Sequence, residues 1–566
     1  MDPLKLTVRV VRGRWFTVFA SFLIMSSAGG TYLFGIYSAE MKSTFGYDQQ
    51  TLNTLSFFKN LGGNVGIIAG LMNEIMPPWF ILLIGAVTNF GGHFMIYLSL
   101  TKKIAQPKFW QMCMYICIGT NSQNFSNTGS LVPCVKNFPR NRGIVLGLLK
   151  GFVGLSGAIM TQIYLALYGD HPKSLVLLIA WLPTIISITF LNTFRLLPPE
   201  KESEGYNQIR VFYYFLYASL ALAGYLMTVI ILQEEITFNH THFIFAACFT
   251  LLLLFLPLAV VIREEILQYS STSPPLPLSS SEPKLTSTST SPPSSFGSFA
   301  SRTISILKPP ERGMDYTIIQ GLVSVDMLIL LITSIAGFGG TLVAIDNMGQ
   351  IGESLGYTQK SINTLVSLIS IWSYSGRVLS GFASEILLKR YKFPRTLSFA
   401  VIIFVSCIGH LLIAFGVKDT LYITSIIIGF SNGAELTLGY AIVSELFGMK
   451  HFSTLYTVGS TAIPLGSYLL NIKLVGYMYD AQVKKKLKER GGKHVDLICT
   501  GVDCFKMSFL IITAVTIFGA IAASVLVWRT WDFYKSDVIH HKYRESLSES
   551  SENIDNKILY NKVIES

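Results

Sequence analysis

Apolar runs of about twenty residues recur along the whole chain, as in Ser174–Phe194 and Phe243–Ile262. A helix of about 20 residues crosses the roughly 30 Å hydrocarbon core of a bilayer while pairing its own backbone polar groups. Of the 566 residues, 51% are hydrophobic and only 14% are charged, whereas soluble domains carry roughly 25% charged residues. The sequence therefore predicts an all-α polytopic membrane protein.

The apolar runs form a group of six, a group of two and a second group of six, which predicts about fourteen transmembrane helices. They lie near 15–37, 51–73, 79–100, 109–132, 143–167 and 174–194, then near 210–232 and 242–262, and then near 322–345, 361–383, 396–416, 420–443, 453–478 and 505–529. The expected organisation is a six-helix bundle at 1–200, two additional helices at 201–265, a cytoplasmic linker at 266–313, a second six-helix bundle at 314–532 and a cytoplasmic tail at 533–566. The linker is rich in Ser, Thr and Pro, so it is expected to be disordered.

Two stretches of the chain are similar to each other without a gap. Gly29–Leu55 aligns with Gly339–Leu365 at an offset of 310, and glycines, a tyrosine and an Asn-Thr-Leu sequence match in register. An even number of predicted spans separates the copies, so both cross the membrane in the same direction, as in a parallel repeat. The repeat predicts two similar halves around a central cavity. Its Gly-Gly-Thr segment is expected where the first helix of each half bends or packs beside that cavity.

Basic residues indicate the orientation. The net charge is +11, but the basic residues are scattered over short loops and tails and do not form a nucleic-acid-binding stripe. Arg9, Arg12 and Arg14 lie on the same predicted side as Lys389 and Arg395, and positively charged loops favour the cytoplasm. Both termini are therefore expected in the cytoplasm, in a plasma membrane or an endomembrane. The basic stretches 102–108 and 484–490 disagree with this orientation.

A glycine four residues before an acid follows the second span of each half, at Gly70 and Glu74 and again at Gly381 and Glu385. Such a glycine lets two helices approach closely, and the acid can pair with a basic loop or cap the N-terminus of a neighbouring helix. Arg377 lies two helical turns before Glu385. These five residues predict a cytoplasmic gate, with a purely structural contact between helices as the alternative.

This signature resembles that of the major facilitator superfamily. The second copy matches better, because Lys389, Arg390 and Arg395 follow its acid, whereas the first copy has Met76-Pro77-Pro78-Trp79 there. Four further stretches are similar to the plant nodulin-like branch, also called nuclear-fusion-defective-like proteins. They are LGLLKGFVGLSGAI from Leu146, SELFGMKHF from Ser444, GYMYD from Gly476 and CTGVDCF from Cys499. The resemblance implies a facilitator-type transporter fold with two extra helices.

Ionisable residues inside predicted spans are candidates for function, because a charge in hydrocarbon costs about 2.5–3.5 kcal/mol unless it faces a cavity or a partner. Lys150 could hold an anionic substrate or extend to the membrane surface, and Lys59, next to Asn60, has the same two interpretations. Glu435 could couple transport to a proton, pair with Lys150, or make a structural hydrogen bond between helices. Asn432 lies one turn before it.

The fourth span is too polar to face lipid, since it carries Asn121 and Asn124 among other polar residues. It either lines an aqueous path or forms a hydrogen-bonded seam between helices. The complete predicted cavity comprises Lys59, Asn60, Asn121, Asn124, Lys150, Asn432 and Glu435.

Cys499 and Cys504 lie in a polar loop that is predicted to be outside, where a disulfide between them would be stable. Metal binding is the alternative, although no third and fourth ligands are evident. The sequence has no phosphate-binding glycine-lysine loop and no nucleophile motif. An enzyme, a cofactor and a metal are therefore not expected.

Together these patterns predict a secondary active transporter that moves a small solute by alternating access. The buried lysines favour an organic anion as the solute, and a coupled proton is a candidate driving ion. The expected partners are this solute and the lipid bilayer, without nucleic acid, and the oligomeric state is left open. The competing interpretation is a membrane receptor or scaffold that retains the transporter fold without transport.

Overall fold

A computed structural model of the chain describes residues 3–31, 33–47, 49–169, 171–197, 208–271, 309–417, 420–489 and 499–536. Within these residues every regular element is a helix, which confirms the predicted all-α class. Most of the predicted linker and nearly all of the predicted tail lie outside the described residues. Where the linker was expected to begin, at 266, the preceding helix instead continues to Ser271, because Ile266 and Leu267 extend its apolar run.

The described residues of the first half and of the two extra helices form eleven α-helices. They are α1 Pro3–Arg12, α2 Arg14–Ser27, α3 Phe34–Phe45, α4 Gln49–Asn64, α5 Ile67–Ile75, α6 Pro78–Leu100, α7 Phe109–Asn137, α8 Arg142–Tyr168, α9 Pro172–Thr189, α10 Gln208–Glu235 and α11 His240–Ser271. Short 3₁₀ segments at Gly29–Thr31, Pro139–Asn141 and Leu191–Thr193 join some of them.

The part of the second half that the structure describes forms ten α-helices. They are α12 Ile318–Val323, α13 Val325–Asp346, α14 Met348–Ser354, α15 Gln359–Tyr391, α16 Arg395–Phe415, α17 Leu421–Leu446, α18 Phe452–Ser460, α19 Ala462–Gly466, α20 Tyr477–Glu489 and α21 Asp503–Lys535. A π-helical segment, Ser467–Gly476, connects α19 to α20.

Nine helices in the described part of the chain are long and apolar enough to cross a membrane, namely α6, α8, α9, α10, α11, α13, α16, α17 and α21. Helices α7 and α15 are as long but more polar. The predicted spans near 15–37, 51–73 and 453–478 are each divided into shorter helices. The total of about fourteen crossings remains a prediction.

The two halves meet along α8 and α15, where glycines allow the backbones to approach closely. A Cβ atom on Gly381 of α15 would lie 2.6 Å from the carbonyl oxygen of Gly143 and 2.9 Å from the Cα of Gly147, both of α8. Further along, Gly151 of α8 packs on Val378. One large hydrophobic core extends across this contact and includes side chains of both halves and of α10 and α11.

Candidate functional site

A cavity of about 220 Å³ lies between the two halves. Its wall combines apolar and polar side chains, and its charged side chains are the three cations Lys59, Lys150 and Arg377 and the single anion Asp346. Its uncharged polar lining comprises Asn60, Asn64, Gln123, Asn124, Asn127, Ser370, Ser373, Asn432, Tyr440, Tyr456 and Ser460. Of the seven residues predicted for the cavity, Lys59, Asn60, Asn124, Lys150 and Asn432 lie on this wall.

Lys150 extends from α8 of the first half towards two tyrosines of the second half. Its Nζ lies 5.1 Å from the ring centroid of Tyr440 and 5.8 Å from that of Tyr456. The side chain is buried, so the alternative that it extends to the membrane surface does not hold. Ring faces attract cations, and each tyrosine is oriented by a hydrogen bond: Tyr456 with Thr128 at 3.0 Å and Tyr440 with Ser460 at 2.9 Å.

Arg377 lies on the same wall, although the sequence suggested a place at the gate. Its Nη1 donates a 2.8 Å hydrogen bond to the backbone carbonyl of Lys150. This bond crosses from the second half to the first and joins two of the three basic residues of the wall. The sequence analysis placed Arg377 at the gate and Lys150 in the cavity, because spacing along one helix does not show which residues of another helix face it.

Asp346 at the end of α13 was not predicted as a site residue. It accepts a hydrogen bond from Asn471 at 3.3 Å, and it lies near enough to Lys59 of α4 for direct Coulomb attraction. The ring of Phe57 in α4 also lies 5.8 Å from that of Tyr468. The one sequence signal for Asp346 is an acid at the end of an apolar run, inside the repeated stretch.

Asn121 and Asn124 both stabilise a break in a helix. Asn121 donates to the backbone carbonyls of Gly62 at 2.9 Å and Val65 at 2.8 Å, and Asn124 donates to that of Gly62 at 2.8 Å. These carbonyls lie where α4 ends and before α5 begins, so they lack helical partners. Both sequence interpretations of the polar span therefore apply: Asn124 also lines the cavity, whereas Asn121 belongs only to the seam.

Glu435 lies elsewhere than the sequence suggested. It is fully buried in α17 behind the cavity wall, where it faces Gly337 of α13 and Cys407 of α16. It is not among the lining residues, although Asn432 and Leu436 on either side of it are. Within the described part of the chain, neither of its carboxylate oxygens has a hydrogen-bond partner. It therefore makes neither the pair with Lys150 nor the structural hydrogen bond that the sequence left open.

One end of the molecule, which we call the basic end, is closed by a buried ion-pair cluster. Arg395 is bound by Glu385 of α15 and, at 2.7 Å, by Glu445 of α17. It also donates to Ser384 at 2.7 Å, and Tyr534 donates to Glu445 at 3.0 Å. All three charged groups of this cluster are at least 95% buried. A buried ion pair of this kind is tolerated only when every charge has its partner, because an uncompensated buried charge is strongly destabilising.

The cluster at the basic end packs directly on the first half. Arg395 and Glu385 both contact the space beside Gly143 at the start of α8. Lys389 pairs with Glu385 at 3.2 Å and donates to Asn141 of the first half at 2.7 Å. In return, Arg142 of the first half donates to the carbonyl of Ser444.

The first-half counterpart is Gly70 and Glu74, which pack on α18 of the second half. A Cβ atom on Gly70 would lie 2.9 Å from the carbonyl oxygen of Ser453. Glu74 accepts from the backbone N–H of Thr454 at 3.3 Å and lies 3.4 Å from the Nδ1 of His451. This acid caps a helix N-terminus, where a negative charge is favourable. Both contacts hold the two halves together at the basic end.

Cys499 and Cys504 are joined by a disulfide in the described structure. The loop that they close lies against α20, since Tyr479 accepts a 3.1 Å hydrogen bond from the backbone N–H of Cys499. This region is remote from the cavity wall and does not contribute to the candidate site.

Comparisons with known protein families agree with this architecture. The sequence model of the Nodulin-like family matches residues 14–262, and the model described as the NFD4 C-terminal domain matches residues 318–536. The two matches follow each other in order and together span most of the chain. The chain belongs to the nodulin-like protein family.

Relatives and solved structures add to these matches. The nodulin-like chain is 26% identical over 540 residues to Protein NUCLEAR FUSION DEFECTIVE 4 of Arabidopsis thaliana. This match covers 93% of the chain and 91% of the relative. It is 29% identical over 192 residues to the Probable transporter MCH1 of Yarrowia lipolytica, where the match covers 32% of the chain and 38% of the relative. The structure of the proton:xylose symporter XylE superposes with a TM-score of 0.54 at 12% identity, over 91% of this chain and 95% of that one. That likeness shows the facilitator fold.

Proposed function

We propose that this nodulin-like protein is a secondary transporter that carries a small organic anion by alternating access. The observation that carries the proposal is the cavity between the halves, whose wall has three cations and one anion. A wall with excess positive charge attracts an anion. Its volume of about 220 Å³ is below the roughly 300–1,000 Å³ of pockets for drug-sized ligands, which favours a small solute.

The proposed anion-binding groups are Lys150 and Arg377. Arg377 offers a planar set of donors that suits a carboxylate or a phosphate. Lys150 offers a compact positive charge, and a bound anion would take the place of its contacts with the two tyrosine rings. Lys59 would help to recruit the anion and is itself balanced by Asp346. Amides from both halves, such as Asn124 and Asn432, are available for neutral polar groups of the solute.

Alternating access is supported by how the halves touch. The contacts that join the two halves at the basic end are hydrogen bonds and closely packed glycines, so opening this end requires no unfolding of either half. Placing the basic end in the cytoplasm follows the excess of Lys and Arg in its loops. Parallel repeats around a midplane cavity are the usual architecture for such rocking.

Glu435 is the proposed carrier of a coupled proton. Its burial without a partner favours the neutral acid, since an unpaired buried charge is costly. Asn432 and Leu436, its near neighbours on the same helix, line the cavity. Among the groups facing it from α13 and α16, Cys407 is the titratable side chain in the described structure.

The decisive experiment is uptake by purified protein in liposomes exposed to a mixture of cellular metabolites, with the vesicle contents analysed by mass spectrometry. We expect small anions to accumulate with the native protein. Lys150→Met should weaken apparent affinity by about ten- to a hundredfold, the range for losing a hydrogen bond to a charged group. Lys108→Met removes an exposed cation outside the cavity and should change nothing.

Two results would contradict the proposal. If no solute enters although the reconstituted protein is folded, the receptor or scaffold interpretation gains support. If neutral solutes accumulate and Lys150→Met behaves like the native protein, transport stands but the anion site is wrong.

Proton coupling is tested with the solute that the uptake experiment identifies. Glu435→Gln resembles the neutral acid in shape, so we expect it to abolish accumulation driven by a proton gradient while exchange of labelled solute continues. Glu353→Gln, which alters an exposed acid of the same half, is the matched control. Unchanged gradient-driven accumulation in Glu435→Gln would exclude this role.

A further inference from the structure

We infer that α10, the first of the two extra helices, acts as a strap that stabilises the closed state of the basic end. The inference rests on the proposed alternation of access and adds a role for a helix that contributes no residue to the described cavity wall. Helix α10 contacts α8 of the first half and α15 of the second half, the two helices whose glycine contact must separate when the basic end opens.

Two contacts tie α10 to the second half. The hydroxyl of Tyr374 in α15 donates a 2.7 Å hydrogen bond to Ser219 of α10, and both side chains are fully buried. Ser219 in turn donates to the carbonyl of Leu216 in its own helix, so its hydroxyl is used as donor and acceptor. Two turns further along α15, the ring of Phe382 lies 5.6 Å from that of Tyr213 in α10. Phe382 directly follows Gly381, the glycine of the α8 contact.

Other contacts tie α10 to the first half at both of its ends. Near the start of α10, Gln208 accepts a 3.3 Å hydrogen bond from Asn141, the residue that also accepts from Lys389 of the second half. Near its other end, Gln233 and Gln162 of α8 exchange a pair of hydrogen bonds at 2.9 and 3.4 Å. The strap is therefore fixed along α8 and contacts the half of α15 that lies nearer the basic end.

This asymmetry gives the strap its effect. Rocking that separates α8 from α15 at the basic end must break the contacts at Ser219 and Tyr213, while the bonds to α8 can persist. Such contacts lower the free energy of the closed conformation only. A differential interaction of this kind shifts a two-state equilibrium. One hydrogen bond and one aromatic contact together correspond to a shift of about tenfold in the ratio of closed to open molecules.

The experiment measures the distance across the basic end by double electron–electron resonance, with the full chain in lipid nanodiscs. Spin-labelled unnatural amino acids at Leu196 and Tyr391 report on it, since both side chains are more than half exposed and belong to opposite halves. Segment 195–197 is held to α7 by hydrogen bonds with Asn137. The double variant Ser219→Ala with Tyr213→Leu should increase the ratio of long to short distances about tenfold.

The control double variant is Thr228→Ala with Phe245→Leu, which removes one exposed hydroxyl and one exposed ring from the extra helices. It should leave the distances unchanged. Both double variants are also measured with Lys389→Met, which removes one bond between the halves and brings the open population into a measurable range. Because no solute is needed, the outcome is independent of the transport assay.

An unchanged distance distribution in the strap variant, in both backgrounds, would overturn the inference. So would a loss of thermal stability without a change in the ratio of distances, since that result describes a helix that only supports the fold. A shift towards the short distance would also overturn it, because the strap would then favour the open state.

Discussion

The two halves of this transporter-fold protein share a similar stretch of sequence in their first two spans but differ in how those spans are built. In the second half, α13 runs through Gly339 and Gly340 without interruption, and α15 continues for 33 residues. In the first half, the equivalent glycines lie in a 3₁₀ segment between α2 and α3, and the second span is divided into α4 and α5. These two spans are therefore continuous in the second half and segmented in the first.

The repeated glycines serve close packing in both halves, but against different neighbours. A Cβ atom on Gly29 would lie 2.8 Å from the backbone nitrogen of Gly157 in α8, and one on Gly339 would lie 3.0 Å from the Cα of Gly466 in α19. In each half the next glycine faces a buried histidine, His93 beside Gly30 and His410 beside Gly340. Both copies of the repeat thus keep the close packing of their glycines, whereas only the second copy keeps them inside a continuous helix.

The two acids after the second spans differ in the same way. Glu385 belongs to a buried ion-pair cluster with Arg395, whereas Glu74 caps α18 with partial exposure, 13% for its side chain. The basic residues of the facilitator signature are present only where the acid is fully buried. The difference teaches that a carboxylate between two halves can be satisfied either by cations or by a helix N-terminus.

The largest effect should come from breaking the buried cluster. Arg395→Met leaves Glu385 and Glu445 buried without their cation, and removing one partner of a buried pair costs about 3–5 kcal/mol. Thermal unfolding in nanodiscs should show this loss. Glu74→Gln at the first-half counterpart should change stability by less than about 1 kcal/mol, as is usual for partly exposed pairs. Equal effects of the two variants would remove the proposed difference between the acids.

The next effect concerns the glycines at which the halves touch. Gly381→Ala would insert a methyl group against the backbone of α8, and overpacking of this kind costs about 1–3 kcal/mol. Gly70→Ala meets the backbone of α18 at a similar separation and should behave alike. Gly91→Ala has open space around its Cβ position and should be neutral in the same unfolding measurement. A neutral Gly381→Ala would mean that α8 and α15 can shift apart without loss.

The smallest effect should be found at the break in the first half. Asn121→Ala removes the hydrogen bonds to Gly62 and Val65, and such bonds inside membrane proteins contribute about 0.6 kcal/mol each, so a loss of about 1 kcal/mol is expected. The measurement is hydrogen exchange of the α4–α5 junction, which should become faster there and remain unchanged in α15. Asn192→Ala, an exposed asparagine, is the control. Faster exchange throughout the half would show that Asn121 supports more than the break.

Several parts of the site followed from single residues. Lys59, Asn60, Asn124, Lys150 and Asn432 were recognised because a polar group in an apolar run must find a cavity or a partner. The same reasoning placed Glu435 in the cavity, and this was wrong. A helical period locates a residue on a face, but Glu435, one position before the lining residue Leu436, faces the interior of its own half.

Other residues could be found only from the fold. The tyrosines beside Lys150 are ordinary members of an apolar helix pattern, and Arg395 and Glu445 look like loop and helix-end charges until α15, α16 and α17 bring them together. The same is true of the strap, since no local pattern connects Ser219 with Tyr374 across 155 positions.

The sequence by itself determined the membrane-spanning helices, the parallel repeat, the family and five of the polar residues of the cavity. These properties depend on composition and on spacing along one chain segment, because the bilayer requires apolar helices whose backbone is paired internally. Tertiary structure decided which helix the repeated glycines interrupt, which cations and acids neutralise one another, and where the extra helices pack. Those outcomes depend on contacts between distant segments, whose energies are set by the facing surface rather than by the residue alone.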